Sequence, residues 1–159
     1  MFRTAALSAV AAVMIAFTAA PAFAGPAETA FLQKLSNTWS GKGRLSGAET
    51  GPINCKVVLT AGGQNVKYQG RCNIPDMAQQ AFSGSISYND KLKRYETKSV
   101  GGVVPGVRRG DKLVFTTSSS NIRGKAYSTM TVSPSALVVD FAIVEKSGDK
   151  TTSRVTFSK

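Results

Sequence analysis

The chain has 159 residues, with 20 Lys and Arg against 9 Asp and Glu, a formal charge of +11, two cysteines and no histidine. Without histidine there is no Ser-His-Asp triad, no Cys-His dyad and no imidazole metal ligand. A hydrophobic content of 42% is too high for a disordered polybasic tail, and the length fits one domain.

Residues 1–24 read as a secretory signal peptide. Arg3 supplies the charged start, and Ala5 to Ala20 is an apolar run broken only by Ser8 and Thr18. Pro21 then precedes the small-x-small site Ala22-Phe23-Ala24. The run falls short of the ~20 residues of a membrane span, so no transmembrane segment is expected and cleavage is expected after Ala24. The mature portion, residues 25–159, is 135 residues long with 19 basic and 9 acidic side chains, a charge of +10. Export to the periplasm or the exterior is an oxidising setting, and Cys55 and Cys72 are expected to form one disulfide there.

Gly25-Pro26 opens an N-terminal segment, residues 25–37, in which Phe31, Leu32 and Leu35 fall at helical spacing over Ala27 to Asn37. Pro26 suits a first turn and Glu28 the positive end of the helix dipole. From Thr38 onward the period changes to two. The predicted strands are Thr38–Ser46, Ile53–Ala61, Val66–Asn73, Ala81–Tyr88 and Arg94–Val100, then Lys112–Ser118, Lys125–Ser133, Ala136–Lys146 and Thr151–Ser158. Turn residues such as Gly62-Gly63, Asn89-Asp90 and Ser147-Gly148-Asp149 separate them. Short strands at this spacing predict a single antiparallel all-β domain, a sandwich or barrel.

A hairpin turning at Gly62–Asn65 sets a register in which Ala61 faces Val66, Leu59 faces Tyr68, Val57 faces Gly70 and Cys55 faces Cys72. Lys56, Lys67 and Arg71 then point to the opposite face. On Ala136–Lys146, Leu137, Val139, Phe141 and Ile143 share a face. Asp140 in its middle is either a carboxylate at a strand edge or barrel mouth paired with Lys or Arg, or a buried carboxylate in a ligand cavity. The segment Gly101–Gly110 is too apolar for an exposed loop. Val103, Val104 and Val107 are expected to fold over a barrel mouth as a lid or to plug the core. Ile74 to Ala78 is a similar candidate for capping an end.

The run Thr38-Trp39-Ser40-Gly41-Lys42-Gly43, placed after a short helix, opens a meander that ends in Arg154-Val155-Thr156-Phe157. This layout resembles the calycin group of lipocalins, avidins and related small barrels, in which an early Trp closes one end; Trp39 occupies the matching place. With Cys55 and Gly70-x-Cys72 it is also similar to small secreted proteins of Gram-negative bacteria. The resemblance implies an antiparallel up-and-down barrel of about eight strands with a short N-terminal helix. The early Trp and the disulfide between neighbouring strands also resemble periplasmic inhibitors of secreted metalloproteases.

Catalytic parts are sparse. The carboxylates are scattered, with no pairing that makes an acid/base couple or a metal site. Gly41-Lys42-Gly43 reads as a strand bend rather than a phosphate loop, and Arg109-Gly110-Asp111 as a turn. The expectation is therefore a monomeric protein that is not an enzyme and holds no metal or cofactor. Its interior would take a small apolar or amphipathic ligand, with Trp39, Tyr68, Phe82, Tyr88, Phe115 and Phe141 as candidate lining. The alternative is a module acting through its surface. Lys91, Lys93, Arg94 and Lys98 gather about the Asn89 turn, Arg108, Arg109 and Lys112 flank the next, and Arg123 and Lys125 begin a further strand. Such loops could hold an anionic envelope component or an acidic protein, while the resemblance to protease inhibitors implies a protease as the other surface partner. Nucleic acid is a poor fit, because the basic residues lack an aromatic-rich strand motif.

Overall fold

The computed structural model describes residues 25–74, 79–122 and 124–159; the leader segment 1–24 lies outside them. The first element, α1 (Pro26–Gln33), has proline in its first turn and Glu28 near its N-terminus. It stops short of the predicted Asn37 because the backbone tightens. The amide of Lys34 donates to Phe31 at 3.1 Å and that of Leu35 to Leu32 at 3.0 Å, bonds of the i to i−3 type that close a helix. Phe31, Leu32 and Leu35 are buried together.

Ten strands complete the domain: β1 (Asn37–Gly47), β2 (Gly51–Gly62), β3 (Asn65–Asn73), β4 (Gln80–Asn89), β5 (Arg94–Ser99), β6 (Gly102–Arg109), β7 (Lys112–Ser120), β8 (Gly124–Val132), β9 (Leu137–Glu145) and β10 (Lys150–Ser158). Each pairs antiparallel with its sequence neighbour, and β1 pairs with β10 to close the barrel. Closure removes the edges that an open sheet of this length would leave. The predicted β2–β3 register is the observed one: Cys55 lies opposite Cys72, Val57 opposite Gly70 and Leu59 opposite Tyr68, and the disulfide is formed.

The strand count is ten rather than about eight, and β6 is a strand that the sequence pattern does not predict. Gly101–Gly110 is neither a lid nor a plug. Val103 and Val107 point outward and stay exposed, Val104 turns in, and Gly106 is buried. Pro105 and the flanking glycines obscure the strand period. Proline is accommodated because β6 meets β7 only from Gly106 to Arg109, while β5 pairs with Gly102 to Gly106. Beyond Gly106 the β6–β7 seam is open, and Thr116 to Ser120 of β7 pair on the β8 side alone.

Inside the barrel, four glycines lie opposite aromatic residues in the ladder: Gly41 with Phe157, Gly70 with Phe82, Gly84 with Tyr68 and Gly106 with Phe115. In every pair a Cβ on the glycine would collide with the ring. The ring lies across the neighbouring backbone, which any larger residue would prevent.

Candidate functional site

An up-and-down barrel has two ends, and the chain order assigns its turns to them. The α1 end also collects the turns 63–64, 90–93, 110–111 and 133–136. It is sealed. Phe31 packs edge-on against Tyr95 with ring centroids 6.0 Å apart, and Tyr95 packs in the same way on Tyr88 at 5.0 Å. Arg108 lies 4.1 Å over the Phe31 ring, and its guanidinium donates to the Tyr95 hydroxyl at 3.3 Å. Burial pushes the Tyr95 phenol above its usual range, against the opposing pull of Arg108. The Gln33 side chain ties α1 to the carbonyl of Gly63.

At the other end the inward rows come to the surface. Along β4, Ile86 is buried while Phe82 is 40% exposed; along β9, Leu137 is buried while Ile143 is 42% exposed. Thr117 and Ser119, beside the open β6–β7 seam, are exposed too. Between the seal and this mouth lies a cavity of about 270 Å³. Its walls are aliphatic: Ile53, Val57 and Leu59 of β2 face Met130 and Val132 of β8, Val139 of β9 and Val155 of β10. The Cys55–Cys72 disulfide forms part of one wall. Tyr68 and Ser128 bring the only side-chain oxygens among the lining residues, and the Tyr68 hydroxyl is already bonded to Thr97 Oγ1 at 3.1 Å. Among the described residues no charged side chain lines the cavity.

Of the aromatic residues read as lining, Tyr68, Phe82 and Phe141 meet the cavity. Trp39, Tyr88 and Phe115 do not. Trp39 and Phe115 are buried in the packed core, and Tyr88 packs edge-on against Tyr95. Reading aromatics alone misses the aliphatic wall, including Met130. Strand parity is the signal that could have found it, since each of these residues shares a face with an assigned inward one. Ile74 also lines the cavity, whereas residues 75–78 of the expected cap lie outside the described residues.

The basic candidates divide between the ends. Lys91, Lys93, Arg94, Arg108, Arg109 and Lys112 belong to the sealed end, while Lys98 and Lys125 lie toward the mouth; Arg123 is outside the described residues. Two of the first group are engaged. Arg108 clamps α1, and Arg94 pairs with Glu96 at 2.9 Å. The Asn89 amide and then Arg94 hold the Glu96 carboxyl below its usual range. Asp140 points outward and pairs with Arg154 at 3.1 Å, which makes it a surface ion pair and not a cavity group. Among the described residues no group of three or more His, Cys, Asp or Glu is placed to hold a metal ion. No helix among them is long and apolar enough to cross a membrane.

No protein-family model matches the chain, and no curated protein matches it in sequence. The fold has known counterparts. The S-type phycobiliprotein lyase CPES from Guillardia theta superposes with a TM-score of 0.56 at 13% identity, over 82% of this chain and 90% of that one. Rv2717c from M. tuberculosis superposes at 0.54 with 13% identity, over 85% of this chain and 99% of that one. Both likenesses are of fold, an antiparallel closed barrel with one short helix. They correct the expectation that the chain is not an enzyme. One protein with this fold is named a lyase, so the fold by itself does not exclude an enzyme.

Proposed function

We propose that the chain is a calycin-like ligand-binding barrel that takes a small apolar or amphipathic molecule through the mouth opposite α1. The observation that carries this reading is the cavity of about 270 Å³, walled by aliphatic and aromatic side chains with no charge among the described residues. Apolar cavities exclude water, and about 150 Å³ already accepts a benzene-sized guest. The volume lies just below the roughly 300 Å³ at which small-molecule sites commonly begin, so the guest is compact, or leaves a polar part in the mouth. Tyr68, Phe82 and Phe141 provide its aromatic contacts, and Ser128 a hydroxyl. Work outside the reducing cytoplasm is part of the proposal, supported by the Cys55–Cys72 disulfide and the leader-like residues 1–24.

Binding of a fluorescent naphthalene probe tests it, with Met130→Trp as the variant that fills the cavity. The expected result is an enhanced, blue-shifted emission with the natural chain that Met130→Trp abolishes while the circular dichroism spectrum is kept. Equal probe binding by the two proteins would defeat the reading.

A further inference from the structure

Strands β1–β4 carry Lys42, Arg44, Lys56, Lys67 and Arg71 but not one aspartate or glutamate. Strand alternation turns all five outward, and all five are exposed, as is Lys98 on β5. In the ladder Lys56 lies directly opposite Arg71. Outward neighbours in such a pair have Cβ atoms roughly 5 Å apart, and like charges placed so are destabilising. The ion pairs among the described residues are Arg94–Glu96 and Arg154–Asp140, so none of the five cations of β1–β4 is neutralised in that way. Lys98 of β5, by contrast, shares the outer face with Glu96 and helps Asn89 and Arg94 hold that carboxyl down. Among Lys56, Lys67, Arg71 and Lys98 the wall carries adjoining depressions of about 560 and 550 Å³ that share Val58, Gln69 and Ser83; Lys42 and Arg44 lie outside them.

We propose that this outer wall of β2–β5 is a groove for an acidic polysaccharide chain, a site separate from the barrel cavity. An uncompensated cross-strand repulsion is relieved when an anion bridges it, which charge complementarity demands of the occupant. The rest of the surface narrows the class. Of the aromatic residues of β1–β4, Tyr68 and Phe82 border the depressions, but strand alternation turns their rings, like those of Trp39 and Tyr88, to the inner face, so no ring stands on the wall for the bases of a single-stranded nucleic acid to stack on. The wall has its apolar residues, Val58, Ala81 and Val100, scattered among cations, hydroxyls and amides rather than gathered into an apolar face that could insert into a bilayer. It also lacks the buried aromatic anchor around which protein interfaces form. What remains is a polar floor of hydroxyls and amides from Thr60, Gln69, Ser83 and Ser85 among spaced cations. Such a floor suits a hydroxylated chain bearing carboxylates or sulfates.

The test titrates the full chain with heparin and with an unsulfated polyuronate at about 0.15 M NaCl, where weak surface attraction is screened. Lys56→Ser with Arg71→Ser removes the central pair; Lys91→Ser with Lys112→Ser removes the same charge from the sealed end. The wall variant should weaken binding of at least one glycan by about tenfold, as expected for two lost charge-assisted contacts, with the control near the natural chain. Preference between the two glycans identifies sulfate or carboxylate as the anion. The wall variant should also unfold at the same or a higher temperature, because the repulsion is gone, and should bind the naphthalene probe unchanged. Equal losses in both variants, an unaffected wall variant, or a lower melting temperature would overturn the proposal. So would tighter binding of single-stranded DNA, polyglutamate or anionic vesicles through the same pair.

Discussion

At the α1 end of the barrel, Leu32, Leu35 and Trp39 are essentially inaccessible, and rings from α1, β4 and β5 interlock above them. At the opposite end the same inward rows carry Phe82 and Ile143 at 40% and 42% exposure, and the β6–β7 seam lies open. One strand pattern thus makes both a seal and a mouth. The difference comes from what each end adds: an amphipathic helix and large rings at one, serines, threonines and an interrupted ladder at the other. Stability should be concentrated at the seal, and ligand access at the mouth.

The largest test removes the seal. Trp39→Ala should lower unfolding free energy by about 3–5 kcal/mol in a urea titration, the usual effect of emptying a buried aromatic site. Ile143→Ser at the mouth should stay within about 0.5 kcal/mol, as exposed positions do. Comparable losses at the two sites would erase the distinction between the ends. Next comes the staple along the cavity wall. Replacing both Cys55 and Cys72 by alanine should cost about 3 kcal/mol, because the bond closes a loop with a sequence separation of 17. The same measurement, with and without reductant, checks it: reductant should destabilise the natural chain and leave the double variant unchanged.

Much of this architecture is legible in the chain, for reasons particular elements make plain. The β2–β3 register comes from the Gly62-Gly63 turn because strand alternation allows only one pairing that puts Cys55 against Cys72. β6 is hidden because Pro105 and its glycines look like a loop, and only the partial pairing with β7 makes that proline tolerable. The cavity is harder to read. Whether Phe115 fills space or lines it depends on Gly106 across the ladder, a pairing that requires β6 to be known first. The cationic wall is legible in principle, since β1–β4 contain no acid. Its cations are spaced two and four residues apart, and they stand out less than Lys91, Lys93 and Arg94, three basic residues within four positions at a turn.

A smaller effect probes how α1 is held. Arg108→Met keeps much of the aliphatic stem but loses the cation over Phe31 and the bond to Tyr95. A loss of about 1 kcal/mol is expected, the sum of a partly exposed cation–π contact and a modest hydrogen bond. Combined with Phe31→Leu the two losses should be less than additive, because they share one contact. Strict additivity would mean that Arg108 does not anchor the helix.

The smallest effect is visible only through pH. Glu96 sits where β5 begins at the sealed end, and bonds from Asn89 and Arg94 hold its carboxyl below its ordinary value of 4.5. A carboxyl with a depressed folded value stabilises the fold above its unfolded value, and that contribution disappears as pH falls through the folded one. Glu96→Gln should therefore melt below the natural chain at about pH 7, and the gap should narrow only under about pH 4.5 as the natural carboxylate takes up its proton. A gap that stays constant down to about pH 2.5 would separate the Asn89–Glu96–Arg94 contacts from the ionisation, leaving shape rather than charge as what they contribute to the sealed end.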